Sequence, residues 1–363
     1  MPRIFRNIFT LCCLLFGTLA SVAQGQWPSP EAQHKYNEAH ELLVNGNVKQ
    51  SIVLFQQVQK VAPYMTVIYR DLGQAYYLTA KYEDAIATLE SIIKSKQADE
   101  QSYQIMVACM AAAGERKKAI SVLENGITLY PHSGLLYHEL GKIYEEEHNE
   151  EEAISNWVKG IRVAPAYRLN YFELAHAYLE EEDLISALLY GEAFVNMEMK
   201  TNRADDARRM MVTAYRKLFF MPDNVTPKYG EGFAMPAAIN FKETVKNTLI
   251  SAAGVMDDGM NIENLIMLRA RFVMDWEIKY AKKYPVNLFA YQDTLLRNGY
   301  FDAYNQWLLG KAVNRTDYEQ WEKFHSSAIA QFEVWSEMHP LKVTLTDFCE
   351  DKDTKNSSEK HKK

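Results

Sequence analysis

Few side chains in this sequence have the type and spacing that catalysis requires. Asp275, Glu277 and His325 could act as general acid and base. Isolated carboxylates and a single histidine on amphipathic helices are, however, more often surface or core-edge residues. The sequence contains no HExxH, GxSxG or CxxC motif, and the glycine-rich segment 230–232 lacks the lysine of a phosphate-binding loop. It therefore predicts no catalytic residue and no cofactor.

Two polar groups could in principle hold a metal ion. An acidic cluster at 145–147 and 150–152 lacks the ligand spacing of a calcium loop, and a solvated turn explains it better. His138 and His176 could approach each other on neighbouring repeats, but structural zinc sites use four ligands and catalytic sites three. We therefore predict no metal site.

The N-terminal residues have the pattern of an export signal. Arg3 and Arg6 precede an apolar run at 8–19, and the small-x-small segment 21–23 follows, so we predict a signal peptide cleaved after Ala23. The alternative is an uncleaved membrane anchor, for which the apolar run is short. No later segment is long and apolar enough to span a bilayer. The mature chain is therefore predicted to be secreted or periplasmic, without a membrane span.

Charge and cysteine content exclude further classes. The net charge is −7, and removal of the two leader arginines makes it more negative, which argues against nucleic acid as a partner. Only Cys109 and Cys349 remain after cleavage, and two distant cysteines do not make a disulfide framework. Apolar neighbours predict that Cys109 is buried, and a bridge to Cys349 is the less favoured alternative.

The helices that would position a functional site follow an internal sequence repeat of 34 residues. A small residue recurs at this spacing in a second helix, and a bulky residue lies four positions after it in four repeats. An aromatic residue opens four repeats and is followed three positions later by leucine or methionine. These columns are Ser51, Ala85, Ala119, Ala153 and Ala187; Phe55, Leu89, Leu123 and Trp157; Tyr69, Tyr103, Tyr137 and Tyr171; and Leu72, Met106, Leu140 and Leu174.

Each column has a physical cause. Apolar residues three and four apart form one helix stripe, and small residues allow two helices to approach closely. Gly46 and Gly114 end the first helix of two repeats, and Pro63, Pro131 and Pro165 end the second helix of three. One hairpin cannot bury its own apolar face, so neighbouring hairpins must stack.

This pattern resembles the tetratricopeptide repeat family over residues 32 to about 200. The best-matching repeats carry Tyr69, Leu72, Gly73, Tyr76, Tyr82, Ala85 and Leu89, and then Tyr137, Leu140, Gly141, Tyr144, Ala153, Trp157 and Pro165. The resemblance implies an all-α fold, an α-solenoid of about five helical hairpins, followed here by an α-helical C-terminal domain that we do not assign to a family.

Five segments are predicted from composition and pattern. They are a signal peptide at 1–23, a repeat array with a capping helix at 32–220, a linker loop at 221–240, a helical C-terminal domain at 241–350 and a disordered tail at 351–363. Within the C-terminal domain we expect helices at 241–253, 262–284, 288–298, 301–312 and 317–339. Asp317 is predicted to cap the last of these, and His325 to lie on its apolar stripe with Trp321 and Phe332.

The resemblance also implies which residues line the concave groove of the array. The first helix of each hairpin faces this groove in the family. The corresponding side chains are Tyr36, His40, Leu43, Val67, Arg70, Gln74, Tyr77, Gln104, Ala108, Ala111, His138, Lys142, Glu145, Phe172, His176 and Leu179. Their mixture of aromatic and polar groups carries little net charge, which does not match the cationic clamp that some members use for a C-terminal carboxylate.

These features favour a non-enzymatic scaffold that binds a protein or peptide partner in the groove, for assembly of an envelope or secreted complex. An alternative is that the repeats position a C-terminal domain with ligand-binding or enzymatic activity, suggested by aromatic residues such as Trp276, Tyr304 and Trp307. A deep pocket with converging polar groups would favour that alternative. A third hypothesis is a self-assembling structural protein, and a homo-oligomer is compatible with the sequence.

Overall fold

The computed structural model describes residues 26–220, 240–344, 347 and 348. All regular secondary structure in these residues is helical, so the predicted all-α fold is confirmed for them. The predicted signal peptide, nearly all of the linker loop, the tail and Cys349 lie outside the described residues. Among the residues described, no helix has the length and apolar character needed to cross a membrane.

The chain divides into two compact units, residues 1–143 and 144–363. In the first unit, successive helices pack as hairpins, α1 on α2, α3 on α4 and α5 on α6, and each hairpin packs on the next. The seventh helix runs a short way past the division. The helices are α1 (Pro30–Val44), α2 (Val48–Val61), α3 (Thr66–Leu78), α4 (Tyr82–Lys94), α5 (Glu100–Ala112), α6 (Arg116–Leu129) and α7 (Gly134–Glu146).

Three of the four predicted repeat columns lie in the core of the two units, whereas Tyr69 and Tyr137 of the aromatic column are only partly buried. Ser51 and the four alanines at the same register are all buried, and so are the bulky residues four positions after the first four of them. At Gly73, an added Cβ atom would lie 2.9 Å from the Leu89 side chain. The small residue of the first helix and the bulky residue of the second helix are therefore in direct contact, as the hairpin geometry requires.

All five hairpins turn through the same backbone conformation. Residues 46, 80, 114, 148 and 182 each have a positive φ, between 56° and 81°. Two of them are the glycines that mark a turn in the sequence, but Ala80, His148 and Glu182 adopt the left-handed conformation as well. This conformation brings the Cβ atom of an L-residue close to the following carbonyl oxygen. The turn is thus imposed by the stacking of the hairpins, even where the local sequence disfavours it.

The second unit combines the last repeat helices with the C-terminal helices in one hydrophobic core, which extends from Ala153 to Phe348. Gln306–Gly310 forms a π-helical segment, and Ala253–Met256 a 3₁₀ turn. The α-helices are α8 (Glu150–Val163), α9 (Leu169–Glu180), α10 (Leu184–Met197), α11 (Asn202–Phe220), α12 (Phe241–Ser251), α13 (Ile262–Lys279), α14 (Asn287–Arg297), α15 (Phe301–Asn305), α16 (Lys311–Val313) and α17 (Arg315–Met338).

Two details of the predicted α17 are wrong. Its cap is Asn314, whose side chain accepts hydrogen bonds from the backbone N–H groups of Thr316 and Asp317. Asp317 instead lies in the first turn, where its charge favours the helix dipole. His325 is exposed and has a non-helical φ of −123°, because the helix is kinked there. The apolar stripe is buried only beyond this kink, at Phe332 and Trp335.

Candidate partner-binding surface

A buried carboxylate organises the predicted groove residues of α1 and α3. Asp71 on α3 is only 5% exposed, and its Oδ2 accepts a hydrogen bond of 2.6 Å from the Tyr36 hydroxyl. The same oxygen lies 3.0 Å from Nδ1 of His40. The Arg70 guanidinium donates from Nε to Oδ1 of Asp71 at 3.0 Å and from Nη1 to Oδ2 of Asp99 at 2.8 Å. Three predicted groove residues from two hairpins therefore meet at one carboxylate.

The electrostatics favour the ionised form of this carboxylate. Burial raises the pKa of Asp71, but the hydrogen bond with His40 and the charge of Arg70 together lower it by more than burial raises it, so the net shift is downward. Conversely, the hydrogen bond with Asp71 raises the pKa of His40. Burial lowers the pKa of Arg70, but Asp71 and Asp99 more than reverse this shift. The cationic charge of Arg70 is therefore largely neutralised within the protein.

A second buried carboxylate, Glu139 on α7, likewise bonds to several predicted groove residues. Glu139 accepts a hydrogen bond of 2.7 Å from Nε2 of Gln104, and the same oxygen lies 3.3 Å from Nδ1 of His138. Its other oxygen accepts from Nζ of Lys142 at 3.4 Å. Burial raises the pKa of Glu139, but Lys142 and His138 lower it to well below the usual range of a carboxyl group. Three more predicted groove residues thus meet at a single acidic side chain.

Asp71 and Glu139, which we call the carboxylate hubs, occupy the same position of the repeat, two repeats apart. Each accepts a hydrogen bond from a residue 35 positions earlier, on the first helix of the preceding hairpin. Ile105 has the equivalent position in the intervening repeat and is apolar and buried. Neither hub was predicted from the sequence. The sequence pattern that could have indicated them is an acidic residue at this position of the repeat, next to a polar residue that is predicted to line the groove.

The remaining predicted residues are placed as follows. Gln74 and Tyr77 are partly exposed on α3, and the Tyr77 ring lies 6.0 Å from that of Tyr82. In the second unit, Phe172 packs against Phe194, and His176 lies 3.6 Å from Glu180. His138 is 4% exposed and therefore supports the surface from beneath. The role of these residues in binding stays a prediction.

The second unit contains a buried polar cluster, which bears on the ligand-binding alternative. Arg269 donates to Oε1 of Glu192 at 2.6 Å, and each side chain is 4% exposed. The same carboxylate oxygen accepts from Gln292 at 2.7 Å and from the Tyr304 hydroxyl at 2.6 Å. The adjoining cavity has a volume of about 30 Å³, which is room for one water molecule. Polar groups therefore converge here, but they bond to one another, and the cavity beside them is small.

The acid and base candidates of the second unit are engaged locally. Asp275 accepts a hydrogen bond from Lys279 at 2.9 Å, one helical turn away. Nδ1 of His325 lies 2.9 Å from the backbone oxygen of Trp321. Burial and the charge of Asp293 raise the pKa of Glu277. Within the described residues, no group of three or more histidine, cysteine or acidic side chains is arranged to hold a metal ion.

A tetratricopeptide repeat family profile matches residues 32–108. Similar solved structures include a MamA protein, 21% identical over 46% of this chain and 91% of its own, with a TM-score of 0.38. A thermophilic TPR protein from Thermus thermophilus is 16% identical over 51% and 98%, with a TM-score of 0.42. The C-terminal part of a TPR repeat-containing protein from Cytophaga hutchinsonii is 16% identical over 77% and 96%, with a TM-score of 0.42. No curated protein matches the chain.

Proposed function

We propose that this chain, a tetratricopeptide repeat protein, is a non-enzymatic interaction scaffold that binds a partner protein or peptide on the first-helix face of its first unit. The first-helix face comprises the exposed groove residues of α1, α3, α5 and α7. The observation that carries the proposal is the pair of carboxylate hubs. They hold groove side chains from successive hairpins in fixed positions, and fixed side chains lose less conformational entropy when a ligand binds.

The chemistry of this face favours an uncharged, partly apolar peptide segment. The charges of Arg70 and Lys142 are each matched by a neighbouring carboxylate, so neither supplies an unpaired cation for an acidic ligand. Gln74 and Tyr77 offer amide and phenol groups that can bond to a peptide backbone. Tyr77 also offers an aromatic ring for apolar side chains.

The predicted export signal supports a place for this scaffold outside the cytoplasm. A leader with two arginines, an apolar run and a small-x-small segment directs a chain to the secretory route. We propose that the partner belongs to an envelope or secreted complex, and that the scaffold helps to assemble it.

Site-specific photo-crosslinking tests the proposed face. A photoreactive residue in place of Gln74, in the full chain expressed with its leader, should form an adduct with a partner protein. The matched control carries the same residue in place of Glu90, which is exposed on the second helix of the same hairpin. Adduct at both positions, or at neither, would contradict the proposal. Asp71→Asn should lower the yield at position 74 while the helical circular dichroism stays unchanged.

A further inference from the structure

The C-terminal end of the described chain inserts an aromatic ring into the last repeat hairpin. Phe348 is 2% exposed and stacks on Tyr190 of α10, with ring centroids 4.1 Å apart and planes 8° apart. Tyr190 in turn stacks on Tyr178 at 5.6 Å, and Tyr171 lies 5.8 Å from Phe348. We call the site formed by Tyr171, Tyr178 and Tyr190 the aromatic slot. It belongs to α9 and α10, about 160–180 residues earlier in the chain.

The residue before Phe348 is anchored separately. Val286, at the start of α14, provides no side-chain cap for the helix. Asp347 supplies this cap, because its Oδ1 accepts a hydrogen bond from the backbone N–H of Asn287. Its Oδ2 accepts from the hydroxyl of Thr344 at 3.0 Å. A carboxylate at a helix N-terminus is favoured by both the free N–H groups and the helix dipole.

These two anchors resemble the way in which a protein holds a short peptide. Residues 341–344 form no helix or strand; Lys342 and Thr344 are exposed, whereas Leu341 and Val343 are partly buried against the core. The partners of Asp347 and Phe348 are, by contrast, parts of helices that are otherwise packed in the core of the second unit. The stacked ring of Phe348 and the capping carboxylate of Asp347, together with a hydrogen bond from Asn287 to the Thr344 hydroxyl, thus tie the end of this segment to α9, α10 and α14.

We propose that the aromatic slot, with the N-terminus of α14, is a binding site for peptides in which an acidic residue directly precedes an aromatic residue, and that Asp347 and Phe348 occupy it in cis. Asp347 and Phe348, which fill the site in the same chain, are themselves an acidic residue followed by an aromatic residue. A partner that carries the same pair competes with this segment, so release of Phe348 opens the site. This site lies in the second unit and does not depend on the proposed function of the first-helix face.

A labelled peptide in trans tests this proposal. The probe is a fluorescent peptide with the sequence of residues 341–348 and an amidated C-terminus, titrated by anisotropy into full-length chains. We expect the Phe348→Ala chain, whose slot is empty, to bind at least tenfold more tightly than the unmodified chain. Adding Tyr190→Ala to Phe348→Ala should abolish this binding. Replacing the aspartate of the peptide by asparagine should weaken it severalfold.

Equal affinity of the unmodified and Phe348→Ala chains, or no binding to either, would overturn the proposal. If Phe348→Ala does not fold, Phe348→Leu replaces it in the assay, because leucine keeps an apolar side chain but cannot stack. The Phe348→Leu chain should also bind the peptide more tightly than the unmodified chain, and failure to do so would again overturn the proposal. Asp71→Asn in the first unit should leave peptide binding unchanged, which separates this test from that of the first-helix face.

Discussion

Replacing Arg269 by methionine should destabilise the second unit more than any surface substitution on the same helix. The guanidinium bonds to Glu192, Asn305 and the Tyr215 hydroxyl, with donor–acceptor distances of 2.5–2.8 Å. Burial lowers the pKa of Arg269, but the charge of Glu192 more than reverses this shift, so the guanidinium stays cationic. Arg269→Met leaves the buried carboxylate with only the neutral donors Gln292 and Tyr304.

The expected cost follows from this loss of charge compensation. Removing one partner of a buried ion pair typically lowers the free energy of unfolding by about 3–5 kcal/mol. We expect the same range for Arg269→Met, measured by urea unfolding with tryptophan fluorescence. The signal reports mainly on the second unit, which contains five of the six tryptophans.

Two variants make the measurement decisive. The double variant Glu192→Gln/Arg269→Met removes both charges and should regain at least half of the loss, because no unpaired charge stays buried. Lys279→Met on the same helix breaks the exposed pair with Asp275, which should cost less than about 1 kcal/mol. If Arg269→Met costs no more than Lys279→Met, or if the double variant is as unstable as the single one, the assignment of a stabilising buried ion pair is refuted.

Three further outcomes are expected. Because both carboxylate hubs have lowered pKa values, the stability that each contributes is fully present above the ordinary carboxyl pKa and is lost as the pH falls towards the lowered pKa of the folded state. Between pH 7 and pH 3.5 the free energy of unfolding should fall by up to about 1 kcal/mol per hub, and by correspondingly less in Glu139→Gln, as urea unfolding at the two pH values would test. Ala80→Gly should raise the free energy of unfolding by up to about 1 kcal/mol, since glycine adopts the positive φ without strain, whereas the matched Gly46→Ala should lower it. Asn314→Ala should cost about 1 kcal/mol by removing the cap of α17, and Asp317→Ala should cost less, as thermal unfolding would test.

The repeat register was sufficient to predict the hairpins and much of their core. The recurrence of alanine at positions 85, 119, 153 and 187 predicts the same close helix contact in each repeat, and all four alanines are buried. The turns were only partly predictable. Glycine revealed two of them, but the turn at Ala80 has the same backbone and no local signal, because packing of the two helices determines it.

The polar clusters could not be predicted from periodicity. A carboxylate ordinarily indicates an exposed position, so Asp71 and Glu139 become recognisable only when the residues one repeat earlier are considered with them. Glu192 and Arg269 are 77 residues apart and share no repeat register. Their pairing depends on how α10 and α13 pack, and no local pattern encodes that packing.

The difference in solvent access between the two kinds of cluster separates binding from stability. Around Asp71, the partners reach solvent: the side chain of His40 is 50% exposed and that of Arg70 24% exposed. A hub substitution should therefore disturb the first-helix face while leaving the buried columns packed. Around Glu192, every bonding side chain from Arg269 to Tyr304 is buried. Substitution there should lower stability without a direct effect on a binding face. Partner capture by Asp71→Asn and Arg269→Met chains, compared at temperatures where both are folded, should consequently be reduced only for Asp71→Asn.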